Sequence, residues 1–147
     1  METLILGVGN PLRGDDGIGS EIAKELIRLG FKNVIDSEDA PENFILKIID
    51  LKPKRLIVID ACDFSGKVGE FRLFTKEEWQ KILPTSFSTH TLPLSLFLSL
   101  IAREVSCEVY LLGIQVKNLE MSSEISLELK EKKNEIVNYL LNLLSGK

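Results

Sequence analysis

The chain has 147 residues, 44% hydrophobic and 27% charged, a composition that builds one folded domain with its own core and excludes disordered, collagen-like and coiled-coil chains. Its net charge of −4 speaks against a nucleic-acid protein that relies on phosphate neutralisation. No apolar run approaches the ~18 residues of a membrane span. The opening Met1-Glu2-Thr3 lacks the basic segment and cleavage site of a signal peptide. A single cytoplasmic domain covering residues 1–147 is therefore expected. Cys62 and Cys107 lie far apart and form no CxxC pair, so neither a zinc ribbon nor a disulfide framework is expected.

In chain order, Thr3–Val8 reads as a buried strand. Ile18, Ile22, Leu26 and Leu29 then recur at helical spacing, with Gly30 as a stop. Val34–Asp36 looks like a short strand. Asp39 is placed to cap a helix with Pro41 in its first turn and an apolar stripe of Phe44, Ile45, Ile48 and Ile49. Arg55–Asp60 is the clearest buried strand, and Gly69–Phe74 alternates polar and apolar residues as a strand near a sheet edge does. Leu92–Val105 is apolar on almost every side and reads as a buried helix. Cys107–Val116 is a last long strand, and from Ser123 a stripe of Ile125, Leu129, Ile136, Leu140 and Leu143 marks an amphipathic C-terminal helix. Strands alternating with helices imply a three-layer α/β sandwich around a mostly parallel sheet.

In such sheets ligands sit beyond the carboxyl ends of the strands. Two loops leave such ends with unusual content: Gly7 to Gly19 (GVGNPLRGDDGIG) and Asp60-Ala61-Cys62-Asp63. A third segment, Ser88-Thr89-His90-Thr91, holds the one histidine of the chain. The first loop begins like a dinucleotide fingerprint, but the third glycine would fall on Leu12, and two aspartates enter where a pyrophosphate would lie. Helix capping accounts for one of Asp15 and Asp16 but not for both. Asp60 taken alone reads as a turn residue, and His90 as an ordinary loop histidine. Their conjunction carries more. If the first and third strands run parallel side by side, Asp16 and Asp60 emerge on one rim, and a loop bearing His90 can close over it. Two carboxylates and an imidazole suit a divalent first-row ion such as nickel, manganese, iron or zinc, with open positions left. As exposed ligands they would contribute little to packing.

GNPLRGDDGIG, VIDACD and STHTLPL, in this order and at these separations, resemble the nickel–iron hydrogenase maturation endopeptidases, and DAPENF after the second strand matches the same pattern. The resemblance runs from Leu4 to about Val116. It implies an α/β/α sandwich with a five-stranded twisted mixed sheet. It also implies a metal-dependent, aspartic-type endopeptidase that removes a C-terminal extension from the hydrogenase large-subunit precursor once nickel is inserted. The metal-contacting positions fall on Asp16, Asp60 and His90, which would act on nickel carried by the substrate and not held tightly by the free enzyme. Large-subunit precursor is the implied partner, and a monomer is expected.

Cys62 could be imagined in a dyad with His90, but Asp60 and Asp63 beside it would raise its thiol pKa, so it reads as a bystander. A peptidyl-tRNA hydrolase also opens with GxGNP, but it needs a histidine about ten residues later, and Arg13–Ile22 has none. A nickel carrier or insertion factor is the non-enzymatic alternative. Such carriers use His-rich or Cys-rich tracts, and this chain has one histidine.

Overall fold

The computed structural model describes residues 1–83, 93–116 and 125–145. Five strands are described: β1 (Thr3–Gly7), β2 (Val34–Asp36), β3 (Arg55–Cys62), β4 (Phe71–Phe74) and β5 (Glu108–Gln115). Five α-helices accompany them: α1 (Ile18–Arg28), α2 (Ile45–Leu51), α3 (Lys76–Ile82), α4 (Leu94–Glu104) and α5 (Leu127–Leu144), with 3-10 turns at Gly14–Gly17 and Pro41–Phe44.

The strands form one sheet in the order β2-β1-β3-β5-β4. Pairing is parallel from β2 through β5, and β4 runs antiparallel on the edge beside β5. The apolar runs of β1 and β3 follow from this position, because a central parallel strand is covered on both faces. On one face Leu4, Leu6, Leu56, Val58 and Leu111 pack with Ile48 of α2, Trp79 of α3 and Phe97, Leu98 and Ile101 of α4. On the other, Ile5, Ile57, Ile59, Leu112 and Ile114 meet Ile18, Ile22 and Leu26 of α1 and Leu129, Ile136 and Leu140 of α5. The result is the three-layer α/β/α sandwich with a mixed, mostly parallel five-stranded sheet. No helix among the described residues is long and apolar enough to cross a membrane.

From β1 the chain passes through α1 to β2 on one side, then through α2 to β3 on the other. The carboxyl ends of β1 and β3 are therefore a topological switch point, the place where open α/β sheets bind their ligands. The parallel register sets Gly7 beside Ile59, and the Val8 amide extends the ladder by donating to the Ile59 carbonyl at 2.8 Å.

Two expectations change, and one helix has no counterpart among them. First, β3 continues two residues beyond Asp60, so Asp60 lies inside the ladder opposite Gly113 and does not end the strand. Second, Asp39 caps nothing: the 3-10 turn starts from Ala40 without a side-chain cap and places Pro41 in its first turn. That helix, α3, was not legible from apolar periodicity. Its start is a capping box in which the Glu78 amide donates to Thr75 Oγ1 at 3.4 Å and the Thr75 amide to Glu78 Oε1 at 2.9 Å. Trp79 anchors α3, fully buried, its indole N–H donating to the Val109 carbonyl at 3.0 Å. The starts expected at Leu92 and Ser123 lie outside the described residues.

Candidate active site

The glycines of the first loop serve close packing of backbone on backbone. A Cβ on Gly9 would stand 2.2 Å from the Asp16 carbonyl oxygen, and one on Gly19 would stand 2.2 Å from the Val8 oxygen and 2.3 Å from that of Ile59. Helix α1 can thus press its first turn against Val8 and Ile59, which fixes the Gly14–Gly17 turn beside β3. The loop is stitched internally. Leu12 donates its amide to Asn10 Oδ1 at 2.9 Å, Arg13 to the Asn10 carbonyl at 3.0 Å, and Asp16 to the Arg13 carbonyl at 3.1 Å.

Within that turn the two aspartates diverge. Asp16 turns back, and its Oδ2 accepts the Asn10 amide at 3.1 Å. Asp15 reaches across to the far end of the chain, and its Oδ1 accepts the Ser126 amide at 2.7 Å. Neither caps α1, whose N-cap Gly17 receives no side-chain bond. Asp60 rises from β3, the strand beside β1, and strand alternation sets it on the face of Leu56 and Val58. Asp16 and Asp60 are each 2% exposed, which overturns the expectation of exposed ligand positions. Two buried carboxylates from independent segments, the turn after β1 and the strand β3 it packs against, therefore stand at the switch point.

The family model for hydrogenase maturation proteases of the HycI type matches residues 20–143. The chain belongs to the hydrogenase maturation protease family. A putative hydrogenase maturation protease of Methanocaldococcus jannaschii is 32% identical, covering 96% of this chain and 87% of that one. The hydrogenase 3 maturation protease of Escherichia coli K12 is 35% identical over 78% and 73% of the two chains. Among solved structures, the nickel–iron hydrogenase maturation protease HycI of Thermococcus kodakarensis superposes with a TM-score of 0.81 at 28% identity, covering 98% of this chain and 92% of that one. The maturating endopeptidase HybD of Escherichia coli shares the fold, with a TM-score of 0.83 at 23% identity over 99% and 93% of the chains.

Of the three residues that sequence points to in this protease, Asp16 lies in the 3-10 turn that follows β1, and Asp60 lies in the neighbouring strand β3, two residues before it ends. His90 lies outside the described residues. Helix α4, which begins four positions after it, packs in the layer covering the face of Asp60. Cys62 lies two residues beyond Asp60, 1% exposed. Burial pushes its thiol up to about 12, with the charges of Asp60 and Asp63 adding to the effect, so it is no thiolate nucleophile at neutral pH. Cys107 stands just before β5, at the opposite end of the sheet.

Two supports of the rim went unread in the sequence. Gln115, 5% exposed at the end of β5, uses all four of its hydrogen-bonding sites. Its Oε1 accepts the amides of Phe64 and Gly66, both at 2.9 Å. Its Nε2 donates to Asp63 Oδ1 at 3.1 Å and to the Val116 carbonyl at 3.0 Å. The loop leaving β3 is thereby fastened to β5. The one signal was a glutamine closing an otherwise apolar strand. The segment after β2 makes the matching tie on the other side: Ser37 Oγ donates to the Gly7 carbonyl at 2.8 Å, and the Gly9 amide donates to that of Glu38 at 2.7 Å.

Proposed function

We propose that this protease removes the C-terminal extension of a nickel–iron hydrogenase large-subunit precursor after nickel insertion, working in the cytoplasm as a monomer. In this reading Asp16, Asp60 and His90 contact the nickel already bound in the substrate. The observation that carries it is the pair of buried carboxylates, one in the turn after β1 and one near the carboxyl end of the adjacent parallel strand β3, at the switch point of a hydrogenase maturation protease fold. Carboxylate oxygens and an imidazole are suitable donors for a divalent first-row ion. Buried carboxylates are favoured by a cation beside them, because taking such charges out of water costs free energy that a positive partner offsets.

The nickel is substrate here, and docking it would align the peptide that follows the precursor's last metal-binding motif. A cation in that position polarises the scissile carbonyl or a water and stabilises the oxyanion that develops. The rigid mounting of Asp16, between the Asn10 amide and the close-packed Gly9, holds its carboxylate without reorganisation as the reaction proceeds.

The test is incubation of the purified chain with nickel-loaded and nickel-free precursor, read by intact mass. Loss of the tail from the loaded precursor alone is expected. Tail retention in both would refute the assignment. Nickel transfer to the precursor without cleavage would point to a carrier.

A further inference from the structure

We propose that Asp15 is a positioning residue that couples the C-terminal helix to the site. The proposal rests on the functional reading above for its catalytic consequence, though not for its structural core. Asp15 and Asp16 are neighbours in one 3-10 turn, yet their side chains run to opposite destinations. Asp16 folds back onto its own loop, whereas Asp15 accepts the amide of Ser126 across 111 residues of sequence at 2.7 Å. A bond of that length to a carboxylate is charge-assisted, and with Asp15 only 8% exposed, water competes little for it.

Ser126 is the N-cap residue of α5 and supplies no side-chain cap of its own. The Asp15 carboxylate therefore sits at the positive end of the α5 dipole, where a negative charge is favoured. Helix α5 in turn packs with α1, which begins directly after the turn. The Gly14–Gly17 turn is held from three directions: by Asn10 through Asp16, by Ser126 through Asp15, and by the helix it leads into. Removing the Asp15 tie frees the side of the turn that faces α5, and the Asp16 carboxylate loses its fixed aim. The second aspartate of the motif is thus assigned to holding Asp16 in place, and the same geometry withdraws Asp15 from service as general base.

Three variants test this. Asp15→Ala removes the acceptor, Asp15→Asn keeps an acceptor oxygen without the charge, and Ser126→Pro removes the donor from the other side. Proline is compatible with the φ of −60° at Ser126. Amide hydrogen exchange on the free protein reads the tie without any substrate. Asp15→Ala should speed exchange across the Gly14–Gly17 turn about tenfold or more, by the loss of a protected state, with β3 unchanged. Ser126→Pro should do the same, and Asp15→Asn, which keeps the bond but loses its charge assistance, should fall between wild type and Asp15→Ala. Cleavage of nickel-loaded precursor should fall at least about tenfold in Asp15→Ala and Ser126→Pro and stay within about threefold in Asp15→Asn, as expected for a geometric and not a chemical role.

Unchanged exchange in both Asp15→Ala and Ser126→Pro would overturn the tie. Loosened exchange with full activity would overturn the coupling. An Asp15→Asn variant with native exchange but no activity would make the charge chemical and sink the proposal. Should wild-type protein cleave no loaded precursor, the functional reading fails, and the exchange data still decide the tie.

Discussion

The thiol of Cys62 occupies the space that a side chain on Gly113 would take: a Cβ there would stand 2.5 Å from Sγ and 3.0 Å from the ring of Phe74. Gly113 is also the register partner of Asp60, so this close fit lies beside a proposed ligand. Gly113→Ala should destabilise the fold by ~1–3 kcal/mol, the usual cost of overpacking a filled core. Adding Cys62→Ala should restore part of that loss, because it removes the sulfur the new methyl meets. Chemical denaturation of the two single variants and the double variant checks this, and strict additivity would show that the two side chains do not share the space.

Cys62 also makes a prediction about reactivity. With its pKa pushed up to about 12, only about one molecule in a thousand carries the thiolate at pH 9, and thiolate is the reactive form. Native protein treated with iodoacetamide between pH 7 and 9 should therefore be alkylated at the half-buried Cys107 first. Cys62 should react only on unfolding. The shift also affects stability. A folded-state pKa above the unfolded value near 9 favours the fold below pH ~9, and that contribution is lost as pH rises toward 12. Cys62→Ala should cleave precursor normally, and inactivity would return the cysteine to the mechanism.

Gln115 is expected to be the more fragile support. Gln115→Ala leaves the part-buried amides of Phe64 and Gly66 without their acceptor, at ~1 kcal/mol or more for polar groups so deprived. Gln115→Glu keeps that acceptor but can no longer donate to Asp63 and Val116, and it sets a second carboxylate against Asp63. Amide exchange at Phe64 and Gly66 should rise strongly in the alanine variant and less in the glutamate variant. Thermal melting should show both below wild type.

The central architecture was legible because burial on both faces leaves a strong mark. LILGV and RLIVID are apolar at nearly every position, and only central parallel strands demand that. Edge strand β4 was legible from alternation for the converse reason. Helix α3 was missed because seven residues with one buried anchor, Trp79, carry almost no periodicity, and its signature lay in the Thr75 and Glu78 cap. Asp60 reads as a strand terminus in the sequence because its charge interrupts the apolar run, which resumes at Ala61 and Cys62. The hydrogen-bond ladder does not stop, since it follows the backbone to Cys62. The roles of Asp15 and Gln115 depend on partners 111 and 49–52 residues away, and no local pattern encodes a contact of that range.

Substitutions at Asp16 separate chemistry from folding if the replacement respects the bond to Asn10. Asp16→Asn retains an oxygen that accepts the Asn10 amide, so stability should stay within ~1 kcal/mol of wild type, the scale of a single net hydrogen bond. Asp16→Ala instead leaves that part-buried amide without its acceptor and should cost ~1–3 kcal/mol by the same accounting. Both remove the charged donor proposed to meet the substrate's nickel. Cleavage of loaded precursor should fall at least about a hundredfold in each, since such a loss corresponds to only ~2.7 kcal/mol of transition-state stabilisation. His90→Ala should fall comparably. Asp16→Glu, with its charge intact on a longer arm, should keep partial activity. Wild-type enzyme stripped by chelator should still process nickel-loaded precursor in metal-free buffer, because the ion arrives with the substrate. A folded Asp16→Asn enzyme with full activity, or efficient cleavage of nickel-free precursor by stripped enzyme, would remove nickel recognition from the mechanism while leaving the protein a protease.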